Sequence, residues 1–300
     1  MVLVGITGAG GMVGRALVKE AQNRSLDFVA IRRGDISSPQ ISQEKLRLAD
    51  FRVVRTFEQL DTLLGDVAVV IHAAAAVPAA SRKMTDDTIF DINVRFTELL
   101  GQWCASRSKK MIFISGATVY EKVNSQKISE DSPLGNSGVG GYYGYSKLLA
   151  ERALEQINDL TYCCLRPSSV YGPGLEHNKL IMQQLDTAAQ DKTITVYPPH
   201  DDRTDLIFSE DLAWACFEAI EKNVTGIFNI AGGTLYSMEE IALACVKVAG
   251  KGTVQLEQQW RDPVRAGEIR FNLDCSKAVK HLNFHPKMNL EKGLRAILSS

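Results

Sequence analysis

No Cys-x-x-Cys pair occurs in the 300 residues, and the six cysteines (Cys104, Cys163, Cys164, Cys216, Cys245 and Cys275) are scattered through apolar stretches. Such spacing offers neither paired metal ligands nor a disulfide framework. It reads as buried thiols in a reducing compartment, so no metal and a cytoplasmic location are expected. No basic run is present either: Lys and Arg number 34 against 35 Asp and Glu, a net charge of −1, which excludes an electrostatic nucleic-acid binder. The longest apolar run, residues 67–80, is too short and too interrupted to cross a bilayer, so no membrane association is expected. The N-terminus shows no basic segment and no cleavage-like site before the first apolar run at Val2. With 45% apolar residues the chain can bury a sizeable core, as one large α/β domain or as a nucleotide domain with a smaller lobe.

What is present starts at once. Val2, Leu3, Val4 and Ile6 read as a strand buried on both faces. Thr7-Gly8-Ala9-Gly10-Gly11-Met12-Val13-Gly14 follows directly, and Val13, Ala16, Leu17 and Ala21 then recur at helical spacing. Glycine permits a tight turn and a close approach of backbone N–H groups to an anion. The helix N-terminus adds free donors and partial positive charge. Gly8, Gly11, Met12 and Val13 are therefore candidate phosphate contacts, and Gly14 lets the helix pack close to the sheet.

Strand and helix patterns alternate along the chain, which predicts a parallel sheet with helices on both faces. Residues 28–31 read as the second strand and end at Arg32-Arg33. An acidic residue there would accept from an adenosine ribose hydroxyl. A guanidinium instead pairs with a 2′-phosphate, so Arg32 and Arg33 favour NADP(H) over NAD(H). Asp35 is the one nearby acid. Residues 51–54 read as a third strand, 67–71 as a fourth and 111–115 as a fifth. The small residues Ala73 and Ala74 after the fourth strand would let a cofactor lie against the backbone, and His72 before them reads as structural. Residues 86–106 read as one long amphipathic helix in which Asn93 falls among apolar positions, either as a satisfied core amide or as part of a proton-relay shell.

Tyr143 and Lys147 stand four apart at the start of another helical segment that runs to about residue 157, so they share a face. A cation beside a phenol lowers the tyrosine pKa, and such a tyrosine can exchange a proton with a substrate hydroxyl or carbonyl.

Taken in order, the opening glycines, His72-Ala73-Ala74, Asn93, Thr118-Val119-Tyr120 and Tyr143 with Lys147 resemble the extended short-chain dehydrogenase/reductase superfamily, in its NAD-dependent epimerase/dehydratase branch. The likeness continues through 165–174, Arg203 to Leu212, 228–233, and Arg265 with 274–278. It implies a Rossmann-like, doubly wound α/β fold, with residues 1–166 and 203–231 forming the dinucleotide domain. Residues 167–202 and 232–300 would form a smaller substrate lobe. By position it implies that Lys147 holds the nicotinamide ribose and tunes Tyr143, the acid/base. Asn178, near the start of a helix beginning around His177, would contact a sugar diphosphate, and Arg203 and Arg265 the nucleotide diphosphate. It also implies a nucleotide-sugar substrate and a homodimer pairing the helices at 86–106 and 143–157.

The chain departs from the branch at one position. A serine or threonine is usual four residues before Tyr120; here it is Gly116. Ser115, re-aimed by a bulge at Gly116, or Thr118 would have to supply the missing hydroxyl. A second departure is Tyr197-Pro198-Pro199-His200, where the branch often has a glycine-rich turn. The expected activity is an oxidoreductase acting on a nucleotide-activated sugar, with a keto-sugar reductase ahead of an epimerase that retains its cofactor. The alternative of another class is a dinucleotide-binding regulator with weak catalysis.

Overall fold

Val4, Gly5, Ile6 and Thr7 are all buried, which so short a strand achieves only when both of its faces are covered. The computed structural model describes residues 2–34, 42, 45–78, 84–123, 127–200, 202–259 and 271–300. Asp35 and Arg265 lie outside them. The described strands are β1 (Val4–Thr7), β2 (Phe28–Arg32), β3 (Leu46–Leu48), β4 (Val69–His72), β5 (Lys110–Ile114), β6 (Tyr162–Pro167), β7 (Ser169–Tyr171), β8 (Thr193–Val196), β9 (Arg203–Phe208), β10 (Gly226–Ile230), β11 (Leu235–Ser237) and β12 (Thr253–Leu256). The helices are α1 (Met12–Asn23), α2 (Phe57–Leu64), α3 (Asp86–Phe90), α4 (Phe96–Ser106), α5 (Gly141–Glu155), α6 (Leu180–Ala189), α7 (Ser209–Glu221), α8 (Met238–Ala249), α9 (Ser276–Leu282) and α10 (Leu290–Leu298). No described helix is long and apolar enough to cross a membrane.

Seven strands form a central sheet in the order β10-β6-β5-β4-β1-β2-β3, every neighbouring pair parallel. The Rossmann-like expectation is met. The strand order reverses between β1 and β4, and the crevice at the carboxyl ends of those strands is where such sheets bind ligands. Period-two alternation sorts the side chains between the two faces. Ile6, Ile112 and Phe228 pack with Leu17 of α1 and Phe217 of α7. Val70, Met111 and Phe113 pack on the other face with Leu60, Leu100 and Leu154. Gly5 is required by that second layer, because a Cβ there would lie 2.5 Å from the Leu64 side chain.

Two elements differ from the sequence expectation. The third strand is Leu46–Leu48, paired with β2, whereas residues 51–53 form a turn. Phe51 and Val54 are apolar because they anchor that turn in the core, with Phe51 stacked 4.3 Å from the Phe96 ring, and not because they alternate in a strand. The long helix over 86–106 is interrupted: Asp91–Arg95 winds as one π-turn between α3 and α4. Such wider turns recur at functional sites.

The remaining strands make a three-stranded sheet, β11-β9-β7, and a pair, β12-β8. A separate apolar cluster, with Leu185, Cys245, Phe208 and Leu294, packs α6, α8 and α10 against them.

Candidate active site

The glycine turn after β1 is closed by contacts that exclude side chains. Gly8 has φ +74°, and a Cβ there would lie 2.6 Å from the Ala74 nitrogen. A Cβ on Gly14 would lie 2.0 Å from the Gly8 carbonyl oxygen. The turn therefore seats β1, the Ala73-Ala74 segment and the α1 N-terminus together, and no acidic residue occupies the first turn of α1. Arg32, the last residue of β2, adjoins this turn: a Cβ on Gly10 would lie 3.6 Å from its Cβ. Arg32 is only 6% exposed, and its Nε is buried without a hydrogen-bond partner. Arg33 is exposed. A glycine cradle at a helix N-terminus with a buried, partnerless cationic donor beside it fits a dinucleotide phosphate group.

Behind the turn runs a directional chain of buried hydrogen bonds. Thr97 Oγ1 donates to the Asn93 carbonyl at 2.8 Å, so it accepts from His72 Nε2 at 2.9 Å. That leaves His72 Nδ1 to accept from Thr7 Oγ1 at 2.8 Å, and Thr7 in turn accepts from the Ala74 N–H. His72 is thus structural and neutral, and burial pushes its pKa down to about 3. Asn93 is satisfied: its Oδ1 accepts from the Ala76 N–H, and its Nδ2 donates to Ala76 O and to Ser146 Oγ. Ser146 Oγ donates to the Tyr143 carbonyl at 2.7 Å. The network ties the end of β4 to the first turn of α5.

This histidine makes the fold acid-sensitive in a defined window. Above pH 6.5 both folded and unfolded chains carry neutral His72. Below it only the unfolded chain takes up the proton, so stability falls by about 1.4 kcal/mol per pH unit until the folded pKa is reached. The urea midpoint of the wild-type chain is expected to drop between pH 7 and pH 4 more steeply than that of His72→Gln. Parallel slopes would remove His72 as the cause.

Tyr143 and Lys147 share the first turns of α5. Lys147 is buried, its Nζ donates to the Ile114 carbonyl at 2.9 Å, and it sits 5.0 Å from the Phe113 ring centroid. Burial lowers its pKa to about 8. Burial also pushes the Tyr143 phenol up to about 12, opposite to the shift expected from the Tyr143–Lys147 spacing. The physical reason is that the ammonium is directed at Ile114 and Phe113, so loss of solvent dominates at the phenol.

Ser115 and Thr118 both carry a buried hydroxyl oxygen without a partner. Gly116 is extended, with φ 179° and ψ 158°, so the bulge that would re-aim Ser115 is not formed. Asn178 lies in the turn ahead of α6, which starts at Leu180 rather than near His177, and its Oδ1 is buried and partnerless. Arg203 is exposed, and its guanidinium donates to both carboxylate oxygens of Glu240 and to the Leu235 carbonyl. His200 Nε2 donates to the Glu257 carbonyl at 2.7 Å.

Two groups of residues escaped the sequence reading. Ser146 links Asn93 to α5 and is signalled only by its place three residues after Tyr143. One turn beyond Lys147, Glu151 accepts from Arg166 Nε and Nη2, and Arg166 Nη1 donates to Tyr120 Oη. Tyr120 donates in turn to Asn229 of β10. Arg166 and Glu151 are 0% and 2% exposed, a buried ion pair under the candidate site.

The parallel sheet, its glycine turn and the Tyr143–Lys147 helix define a dinucleotide-dependent oxidoreductase-type fold. Residues 4–231 match the NAD dependent epimerase/dehydratase family, and the chain belongs to that family of extended short-chain dehydrogenase/reductase enzymes. Among curated proteins it is similar to the dTDP-4-dehydro-6-deoxyglucose reductase of Escherichia coli, 25% identical over 98% of this chain and 96% of the relative. Among solved structures it is similar to UDP-N-acetylglucosamine 4-epimerase from Bacillus cereus, with a TM-score of 0.82 and 21% identity over 99% of this chain and 95% of the other. It is also similar to UDP-glucuronic acid 4-epimerase from Bacillus cereus in complex with NAD, with a TM-score of 0.81 and 24% identity over 99% and 96%. At these identities the structural likeness carries the fold alone.

Proposed function

We propose that the protein is an NADP(H)-dependent reductase of a keto sugar carried on a nucleotide. The observation that carries the cofactor choice is the buried, partnerless Nε of Arg32 beside the glycine turn. A permanently charged fork in that place suits a 2′-phosphate and leaves a bare ribose without an acceptor. Tyr143 is the proposed proton donor: burial holds its phenol above the ordinary tyrosine value, so it carries its proton at neutral pH. The similarity to the Escherichia coli reductase over nearly the whole chain supports the reductase reading.

Bound along the glycine turn, Ala73-Ala74 and Lys147, the dinucleotide supplies hydride chemistry. Tyr143 delivers its proton to the keto oxygen as that oxygen becomes an alcohol. Lys147 is the proposed contact of the cofactor ribose. Asn93 and Ser146 hold the turn that presents Tyr143. Asn178, with its partnerless Oδ1, is the proposed contact of the sugar diphosphate, and Arg203 and Arg265 are the proposed contacts of the nucleotide diphosphate. The proposal includes a homodimer formed through α4 and α5.

The test is NADPH consumption, followed by absorbance, with a panel of nucleotide-linked 4-keto sugars and NADH as the comparison. Loss of NADPH with a matching alcohol product supports the reading. A new stereoisomer formed without net consumption would replace it with an epimerase that retains its cofactor.

Cofactor preference has its own test. Arg32→Ala is expected to weaken NADPH binding by about tenfold or more, the scale of one charge-assisted contact, while NADH binding stays within twofold. Titration of protein fluorescence with each cofactor measures both. Equal losses for the two would remove the 2′-phosphate assignment.

A further inference from the structure

We propose that Thr118, and not Ser115, supplies the second hydrogen-bond donor to the substrate oxygen, in place of the hydroxyl that Gly116 lacks. The assignment rests on the reductase reading above. Both hydroxyls are buried and without a partner, so satisfaction alone does not choose between them.

Position chooses. Along β5 the side chains alternate: Met111 and Phe113 enter the cluster under α4 and α5, and Ile112 and Ile114 the opposite one. Ser115 continues the same ladder, its N–H donating to the Leu165 carbonyl at 2.9 Å. Gly116 stays extended, so residues 115 and 116 point to opposite sides. The Ser115 hydroxyl is therefore directed away from the place a residue-116 hydroxyl would take.

The turn that follows brings Thr118 back to that place. Residues Ala117–Val119 wind as a single 3-10 turn. A Cβ at position 116 would lie 3.6 Å from Thr118 Oγ1, the nearest atom outside its chain neighbours Ser115 and Ala117. A serine hydroxyl at 116 would reach one bond beyond that Cβ, into the neighbourhood of the Thr118 hydroxyl. Thr118 also touches the acid's own turn: a Cβ on Gly144, the residue after Tyr143, would lie 3.3 Å from Thr118 Cβ. Gly140 closes the same corner, since a Cβ there would lie 3.5 Å from Tyr143 Cδ1. Thr118 thus stands between position 116 and the start of α5, with a free donor. Its hydroxyl polarises the keto oxygen by donating a hydrogen bond, forms no covalent bond, and leaves the proton transfer to Tyr143.

Four variants test this: Thr118→Val, Thr118→Ser, Ser115→Ala, and Thr118→Val combined with Gly116→Ser. Thr118→Val is expected to lower kcat about a hundredfold, the scale of removing one oxyanion donor, with NADPH affinity within twofold. Thr118→Ser and Ser115→Ala should stay within about fivefold of wild type, since each keeps the proposed donor. Gly116→Ser in the Thr118→Val background should regain about tenfold, because position 116 is extended and has room for a side chain. A second readout needs no turnover: the carbonyl stretch of a 4-keto sugar bound with oxidised dinucleotide should move to higher frequency in Thr118→Val and stay put in Ser115→Ala. The reverse pattern, or an unchanged Thr118→Val alongside an inactive Tyr143→Phe, overturns the assignment and leaves the reductase reading intact. A wild-type chain that neither turns over nor binds any keto sugar sinks that reading, and this assignment with it.

Discussion

Replacing Tyr143 by phenylalanine is expected to cut turnover about a thousandfold while dinucleotide affinity changes by less than threefold, as removal of a general acid does. The substitution deletes one oxygen from a side chain in the first turn of α5. Ser146 holds that turn through the Tyr143 backbone carbonyl, not through the phenol, so the local structure is retained. A phenol with its pKa near 12 is almost fully protonated at neutral pH and has no deprotonated fraction to lose. The pH dependence of kcat/KM should therefore be governed by Lys147, whose burial sets its pKa at about 8. Below that value the ammonium keeps its charge for the proposed dinucleotide contact; above it the charge is lost and kcat/KM falls. Lys147→Arg, charged throughout, should abolish that alkaline fall even if its rate is lower. Steady-state kinetics over pH 6 to 10, with cofactor titrations alongside, measure both effects. Full activity in Tyr143→Phe would remove the proposed acid.

Arg166→Met is expected to lower the unfolding free energy by about 3–5 kcal/mol, because it strands the buried Glu151 carboxylate. The pair is closed on all sides. Arg166 donates to both Glu151 oxygens, to Tyr120 Oη and to the Glu130 carbonyl, and Asn229 extends the network to the Ile128 carbonyl. Glu151→Leu combined with Arg166→Met should recover most of the loss, since an apolar pair of similar volume removes both desolvation costs. Urea denaturation of the two single variants and the double variant completes the cycle. Additive losses would show that the pair is not coupled and that each residue acts through its other partners. The Glu151 variants carry a second readout. The Glu151 charge raises the Lys147 pKa, so its removal should move the alkaline fall of kcat/KM to lower pH.

The amino-acid sequence by itself determined the features that depend on neighbours along the chain. The glycine turn after β1 was legible because Gly14 packs against Gly8 and Ala9 and Gly8 takes a positive φ, requirements local to a strand–turn–helix unit, whereas the close contact of Gly8 with Ala74 comes from packing. The parallel sheet was legible in alternating apolar runs. The shared face of Tyr143 and Lys147 followed from helical spacing, and Arg32 from its place at the end of β2. Element boundaries set by partners were less legible. β3 fell at Leu46–Leu48 because pairing with Ala30 to Arg32 selects it, while the more apolar Phe51 and Val54 anchor a turn.

Only the tertiary structure decided how the site's groups interact. Asn93 finds Ala76 and Ser146 across 17 and 53 residues of chain, through a π-turn that no hydrophobic period announces. Lys147 turns to Ile114 and Phe113, so the phenol's pKa rises where sequence spacing predicts a fall. Thr118 stands beside position 116 because a single 3-10 turn folds the chain back there. Spacing along a helix or strand specifies which face a side chain takes. The atoms it meets, and the solvent it loses, depend on segments distant in sequence that packing alone brings together.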